Sequence, residues 1–161
     1  MLLFTAQLCL AQKLSTFSNE RFTIKYPAEW QFDDSGMMGT SFVIFSPQEN
    51  DEDLFRENVN LIDQDLSAYN FDLDRFVELS LSQLEMMITN YDLVSNKRMD
   101  TTPPFHKLVY NGMQGQFYLT YVQYAWVLDS RAYILTFTVE QSQFSDYQKI
   151  GESILNSFKI N

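Results

Sequence analysis

Apolar and polar residues alternate over Phe22-Thr23-Ile24-Lys25-Tyr26, and the run stops at Pro27, which cannot donate to a ladder. A strand is predicted there, followed closely by Trp30 as a core residue. The turn Ser35-Gly36-Met37-Met38-Gly39 feeds Phe42-Val43-Ile44-Phe45, a continuous apolar run that reads as a strand buried on both faces. A further strand is expected around Asn58-Val59-Asn60-Leu61-Ile62. From Asp72 the period changes from two to about 3.6. Leu73, Phe76, Val77, Leu81, Leu84 and Ile88 then share one helical stripe, opposite Asp74, Arg75, Glu78, Ser82 and Glu85. Asp72 is placed to cap this helix and Asn90 to stop it.

Strands resume over 91–99 and, after Thr101-Thr102-Pro103-Pro104, over 105–110, with a turn expected at Asn111-Gly112 and a loop running on to Gly115. Residues 117–128 form a long predicted strand, Asp129-Ser130-Arg131 a turn, and 132–139 the returning strand. On 117–128, Phe117, Leu119, Tyr121, Ala125 and Val127 face one way, and Tyr118, Val122, Tyr124, Trp126 and Leu128 the other. Neither set is polar, so both faces of the sheet are expected to be covered. Ser145 and Gln148 fit a capping box opening a last helix, which turns Tyr147, Ile150, Ile154, Leu155 and Phe158 toward the sheet. No repeat or second domain interrupts the 12–161 region, which reads as one domain.

The composition narrows the choice of function. A hydrophobic fraction of 45% with 20% charged residues is globular, and the net charge of -10 opposes binding to nucleic acid or anionic lipid headgroups. Residues 1–11, apolar and uncharged, read as the remnant of a signal peptide with Cys9-Leu10-Ala11 before a cleavage at Gln12. The protein is therefore expected to be exported, periplasmic or extracellular. Any membrane attachment would run through an N-terminal anchor, and acylation of Cys9 is disfavoured by the poor lipobox Ala6-Gln7-Leu8.

The candidate chemistry is sparse. His106 is the single histidine, so no choice of catalytic base exists and zinc of the ordinary kind lacks ligands. It reads as a surface or half-buried structural residue without a partner nearby in sequence. The loop acids Glu49, Asp51, Glu52 and Asp53 are the one calcium candidate, with a solvated charged loop as the default. Asp63 and Asp65 share a strand face but read as merely exposed. Nothing resembles a phosphate cradle, and no cofactor or enzymatic activity is expected. The aromatic surplus of 16% is the remaining lead. Tyr118, Tyr121, Tyr124 and Trp126, with Tyr133, carry the residue types of binding surfaces as well as of cores. Met37, Met38, Met86 and Met87 read first as gap fillers and second as an adaptable contact surface.

Residues 22–30, the strand end Phe45-Ser46-Pro47, Asn58-Val59-Asn60-Leu61 and the closing 147–158 helix together resemble the PsbP and Mog1-like superfamily, over about 17 to the C-terminus. The resemblance implies an α+β fold, an α/β/α sandwich whose central antiparallel sheet carries helices on both faces, and a domain that binds rather than catalyses. The expected role is a non-catalytic binding or assembly factor of the cell envelope with an unidentified protein partner. The alternative is a carrier of a small apolar ligand held between the sheet and the 73–88 helix. A partner-binding module should expose an aromatic patch; a carrier should enclose an apolar pocket with polar groups at its mouth.

Overall fold

A computed structural model describes residues 12–161; the expected cleavage signal and Cys9 lie outside the described residues. The chain runs β1 (Leu14–Ser18), β2 (Phe22–Pro27), β3 (Gln31–Asp33), β4 (Phe42–Phe45), β5 (Asn58–Asp65), α1 (Leu73–Met87), β6 (Thr89–Met99), β7 (Phe105–Gln114), β8 (Phe117–Leu128), β9 (Arg131–Glu140), α2 (Phe144–Ser157) and β10 (Lys159–Ile160). Seven strands form one antiparallel sheet in the order β3-β4-β5-β9-β8-β7-β6, and β1-β2-β10 form a second, smaller one.

The β8–β9 hairpin turns on Asp129 and Ser130, both left-handed at φ 50° and 57°, the backbone that a tight two-residue turn requires. That turn fixes the register. Val122, Tyr124 and Trp126 pair with Phe137, Leu135 and Tyr133 on one face, while Tyr121, Gln123 and Ala125 pair with Thr138, Thr136 and Ile134 on the other. The first face is closed by Ile154, Leu155 and Phe158 around α2, together with Phe22 and Ile24 of β2. The second is covered in part by Leu73, Phe76 and Val77, with Leu81, Leu84 and Ile88 beside them. The helices thus lie on opposite faces of the sheet, and the α/β/α sandwich is the observed architecture. Trp30 is buried in the α2-side core.

The stripe from Asp72 forms the helix that its spacing predicts. The Asp72 carboxylate accepts from the Arg75 backbone N–H at 2.8 Å. Asp72→Ala is expected to cost about 1 kcal/mol, read as a lower denaturant midpoint with unchanged slope. Ser145 does not cap α2. A 3-10 turn over Gln141–Gln143 runs straight into the helix, so Ser145 falls inside the first turn and the N-cap, Gln143, makes no side-chain bond. Asn111-Gly112 is not a turn either: β7 continues to Gln114, and the bend comes at Gly115, φ 61°. Gly112 is needed there for space, since a Cβ on it would lie 2.1 Å from the Ile88 side chain. The short strands β1 and β3 carry too little apolar pattern to stand out in the sequence.

Candidate binding groove on the α1 face

One helix is too narrow for the sheet it covers. An α-helix is about 10 Å across, whereas seven strands at about 4.8 Å spacing span roughly three times that. On the α2 face the small sheet of β1, β2 and β10 fills the remainder. On the other face α1 packs against β6, β7 and β8, and β4, β5 and part of β9 are left beside it. The result is an open groove of about 500 Å³ between α1 and the sheet.

Strand register builds its floor. Phe45, Asn58, Thr138, Tyr121 and Tyr110 line up in one row across β4, β5, β9, β8 and β7. Val43, Asn60, Thr136, Gln123 and Leu108 form the neighbouring row. In both rows a band of amides and hydroxyls is flanked by apolar residues. Leu84 and Met87 of α1 form one wall and Met37, Met38 and Phe55 the opposite rim. Among the twenty lining residues there is no Asp, Glu, Lys, Arg or His. The two phenols in the floor do not supply charge, because burial pushes both the Tyr110 and Tyr121 hydroxyls above the usual tyrosine range. The Tyr110 hydroxyl donates to the Gln123 carboxamide oxygen at 3.2 Å, and the two tyrosine rings stack at 4.8 Å.

The methionines are not gap fillers. Met38, Met86 and Met87 are 84%, 78% and 82% exposed, and Met37, Met38 and Met87 form the lip of the groove. Met38 is held there at φ 54° between Gly36 and Gly39, which are also left-handed.

The four aromatic candidates are divided by the alternation of β8. Tyr121 alone enters the groove. Tyr124 and Trp126 point the other way, into the α2-side core with Phe105 and Phe158, where the Tyr124 hydroxyl donates to the Asn156 side-chain oxygen at 3.0 Å. Tyr118 lies exposed near the start of the strand, and Tyr133 is buried beside Phe158. In the acidic loop the carboxylates mainly hold local structure. Asp53 accepts from the Glu49 and Phe55 backbone N–H groups, and Glu49 from the Tyr147 hydroxyl at 2.6 Å. Asp51, Glu52 and their neighbours bring no trio of metal-ligating side chains together among the described residues.

Partners distant in sequence change two other readings. Asp63 is not exposed: its carboxylate is 3% accessible and is held by Arg21 and Arg131, one on each oxygen. Asp65 instead accepts from the Ser67 backbone N–H at 2.8 Å. His106 is buried between α1 and β6, 2.9 Å from the Asn96 side-chain oxygen and 3.0 Å from Asp74. Its hydrogen bond holds the Asp74 carboxyl below its usual range, with Arg98 contributing.

Among the described residues, Glu57 is the one buried acid that lacks a full set of partners. It is 1% exposed; Oε2 receives the Ser46 hydroxyl at 3.3 Å and Oε1 receives no hydrogen bond from a described residue. Burial raises its carboxyl above the ordinary glutamate range. A raised carboxyl opposes folding once the pH passes its unfolded value, and the cost grows until the folded value is passed. Glu57→Gln is therefore expected to raise the melting temperature at about pH 8 and to leave it nearly unchanged at about pH 4.

The PsbP-like protein family model matches residues 10–160. Among solved structures, cyanobacterial PsbP (CyanoP) from Synechocystis sp. PCC 6803 aligns with a TM-score of 0.68 at 13% identity, over 97% of this chain and 96% of its own. LpqN, involved in cell envelope biogenesis of Mycobacterium tuberculosis, aligns at 0.69 and 10% identity, over 94% and 92%. The Saccharomyces cerevisiae Ran-binding protein Mog1p aligns at 0.62 and 11% identity, over 93% and 96%. No curated protein matches the sequence.

Proposed function

The chain belongs to the PsbP-like protein family, and from that premise we propose that it is a non-catalytic binding or assembly factor of the cell envelope, working through the groove beside α1. The observation that carries the reading is the groove itself: a concave site lined by twenty residues, none of them acidic, basic or histidine. Binding sites of this size are mostly apolar with a few placed polar groups, whereas catalysis of proton or acyl transfer calls for titratable groups converging in the cleft. Glu57, His106 and Asp63 all lie outside that lining. The likeness of fold to a Ran-binding protein and to a protein of envelope biogenesis supports a binding role, and the apolar 1–11 segment supports export. No helix among the described residues is long and apolar enough to cross a membrane.

A second reading, the carrier of a small ligand, is favoured by the position of the groove between the sheet and α1. Its polar groups lie on the floor as well as on the wall and rim, however, so a wholly apolar cargo fits it poorly.

Met86 and Met87 provide the test. Both are highly exposed neighbours on α1, but Met87 alone lines the groove. With a photo-crosslinking amino acid in place of Met87, cells should yield one reproducible adduct on a chain processed to begin at Gln12, and the same group in place of Met86 should not. Equal adducts from both positions would count against the groove. An unprocessed chain would count against the envelope.

A further inference from the structure

The three central donors of the groove floor belong to largely buried residues, open onto the groove and are unused by the protein. Gln123, Thr136 and Thr138 are 6%, 8% and 5% exposed, and all three line the groove. Tyr110 occupies the oxygen of the Gln123 carboxamide. Its NH2 group and the two threonine hydroxyls make no hydrogen bond to another described residue. Cross-strand pairing sets Gln123 directly opposite Thr136, and Thr138 lies two residues further along β9 on the same face. Buried polar groups are normally satisfied, and those left facing a cavity are satisfied by water or by a ligand.

Around this band the walls combine apolar residues with the uncharged Thr40, Ser80, Gln83 and Gln114, and the lining holds no ionisable group apart from two phenols that burial keeps protonated. An ion entering would lose water without gaining a counter-charge. The absence of charge is selective in this chain, which carries 11 basic and 21 acidic residues.

We propose that the groove is the site of a small uncharged amphipathic ligand, whose hydrogen-bond acceptors sit on Gln123, Thr136 and Thr138 and whose apolar body lies against Phe45, Leu84 and Met87. This rests on the reading of the groove as the binding site and adds the chemistry of its occupant. It replaces a purely apolar cargo, which would leave the three donors buried and unpaired at a cost in affinity. It also excludes cations, which the net charge of -10 would otherwise attract.

The test uses three naphthalene ketones of one frame: prodan, which is neutral with a carbonyl acceptor, its carboxylate analogue and its quaternary-ammonium analogue. Fluorescence titration of the wild-type protein should show prodan binding at least about tenfold more tightly than either charged analogue. In the shape-conserving double variant Thr136→Val/Thr138→Val, prodan should bind roughly 3- to 10-fold more weakly with blue-shifted emission, because its carbonyl has lost donors. Equal affinity for all three ketones, with the valine pair still weakening them, would overturn the selection against charge while leaving the groove as the site. Prodan binding that the valine pair leaves untouched would overturn the placement on these donors. No binding of any of the three would overturn the ligand class, and an adduct confined to Met87 would show that the groove reading survives it.

Discussion

Trp30→Ala is expected to lower the unfolding free energy by about 3–5 kcal/mol, the range for deleting a large aromatic from a packed core. The backbone after β2 turns tightly, with the Trp30 N–H donating to the Pro27 carbonyl at 3.0 Å. That turn drives the indole into the α2-side core, where it is 5% exposed and meets the Tyr147 ring edge-on at 6.5 Å. Alanine would leave a cavity between the start of the large sheet and α2, a region with little freedom to collapse. Against a typical total of about 5–15 kcal/mol, the loss would place the variant near its folding limit at body temperature. Guanidinium denaturation followed by far-ultraviolet circular dichroism reads it. An unchanged midpoint would mean that Trp30 is not in the core.

Gly151→Ala reverses the usual rule. In an exposed helix interior the change stabilises by about 1 kcal/mol. In α2 a Cβ at position 151 would lie 2.4 to 2.6 Å from three atoms of the Phe137 ring, and Phe137 is fully buried in the centre of β9. Either the ring or the helix must move, and overpacking of this kind costs about 1–3 kcal/mol or more. Net destabilisation is therefore expected, along with rescue by the smaller side chain of Phe137→Leu. A double-mutant cycle measures that coupling. A stabilised Gly151→Ala variant, or strict additivity, would show that α2 does not approach the sheet so closely.

Much of the fold was legible in the chain, because its signals are local. The two-faced apolar pattern of residues 117–128 demanded layers on both faces, and the stripe from Leu73 to Ile88 supplied one of them. Turn chemistry at Asn111-Gly112 misled, because a steric need for glycine against Ile88 produces the same residue pair as a tight turn. The groove was legible only in part. Asn58, Asn60, Gln123, Thr136 and Thr138 interrupt otherwise apolar strands, a signal of a partly wet face. Their convergence, however, depends on the strand order β5-β9-β8, which no local pattern reveals. Strict alternation along β8 already separates Tyr121 from Tyr124 and Trp126, so residue type alone overstated an aromatic surface. The ion pairs of Asp63 and the contact of His106 with Asp74 join positions 32 to 68 residues apart in the chain, beyond the reach of spacing arguments.

Amide NMR spectra of the isotope-labelled protein during a prodan titration test the central claim most directly. Shifts should concentrate on the α1-facing residues of β5, β8 and β9, among them Asn60, Gln123, Thr136 and Thr138, and on Leu84 and Met87 of α1. Shifts centred instead on Phe105, Trp126 and Phe158, on the opposite face of the sheet, would contradict the groove as the binding site.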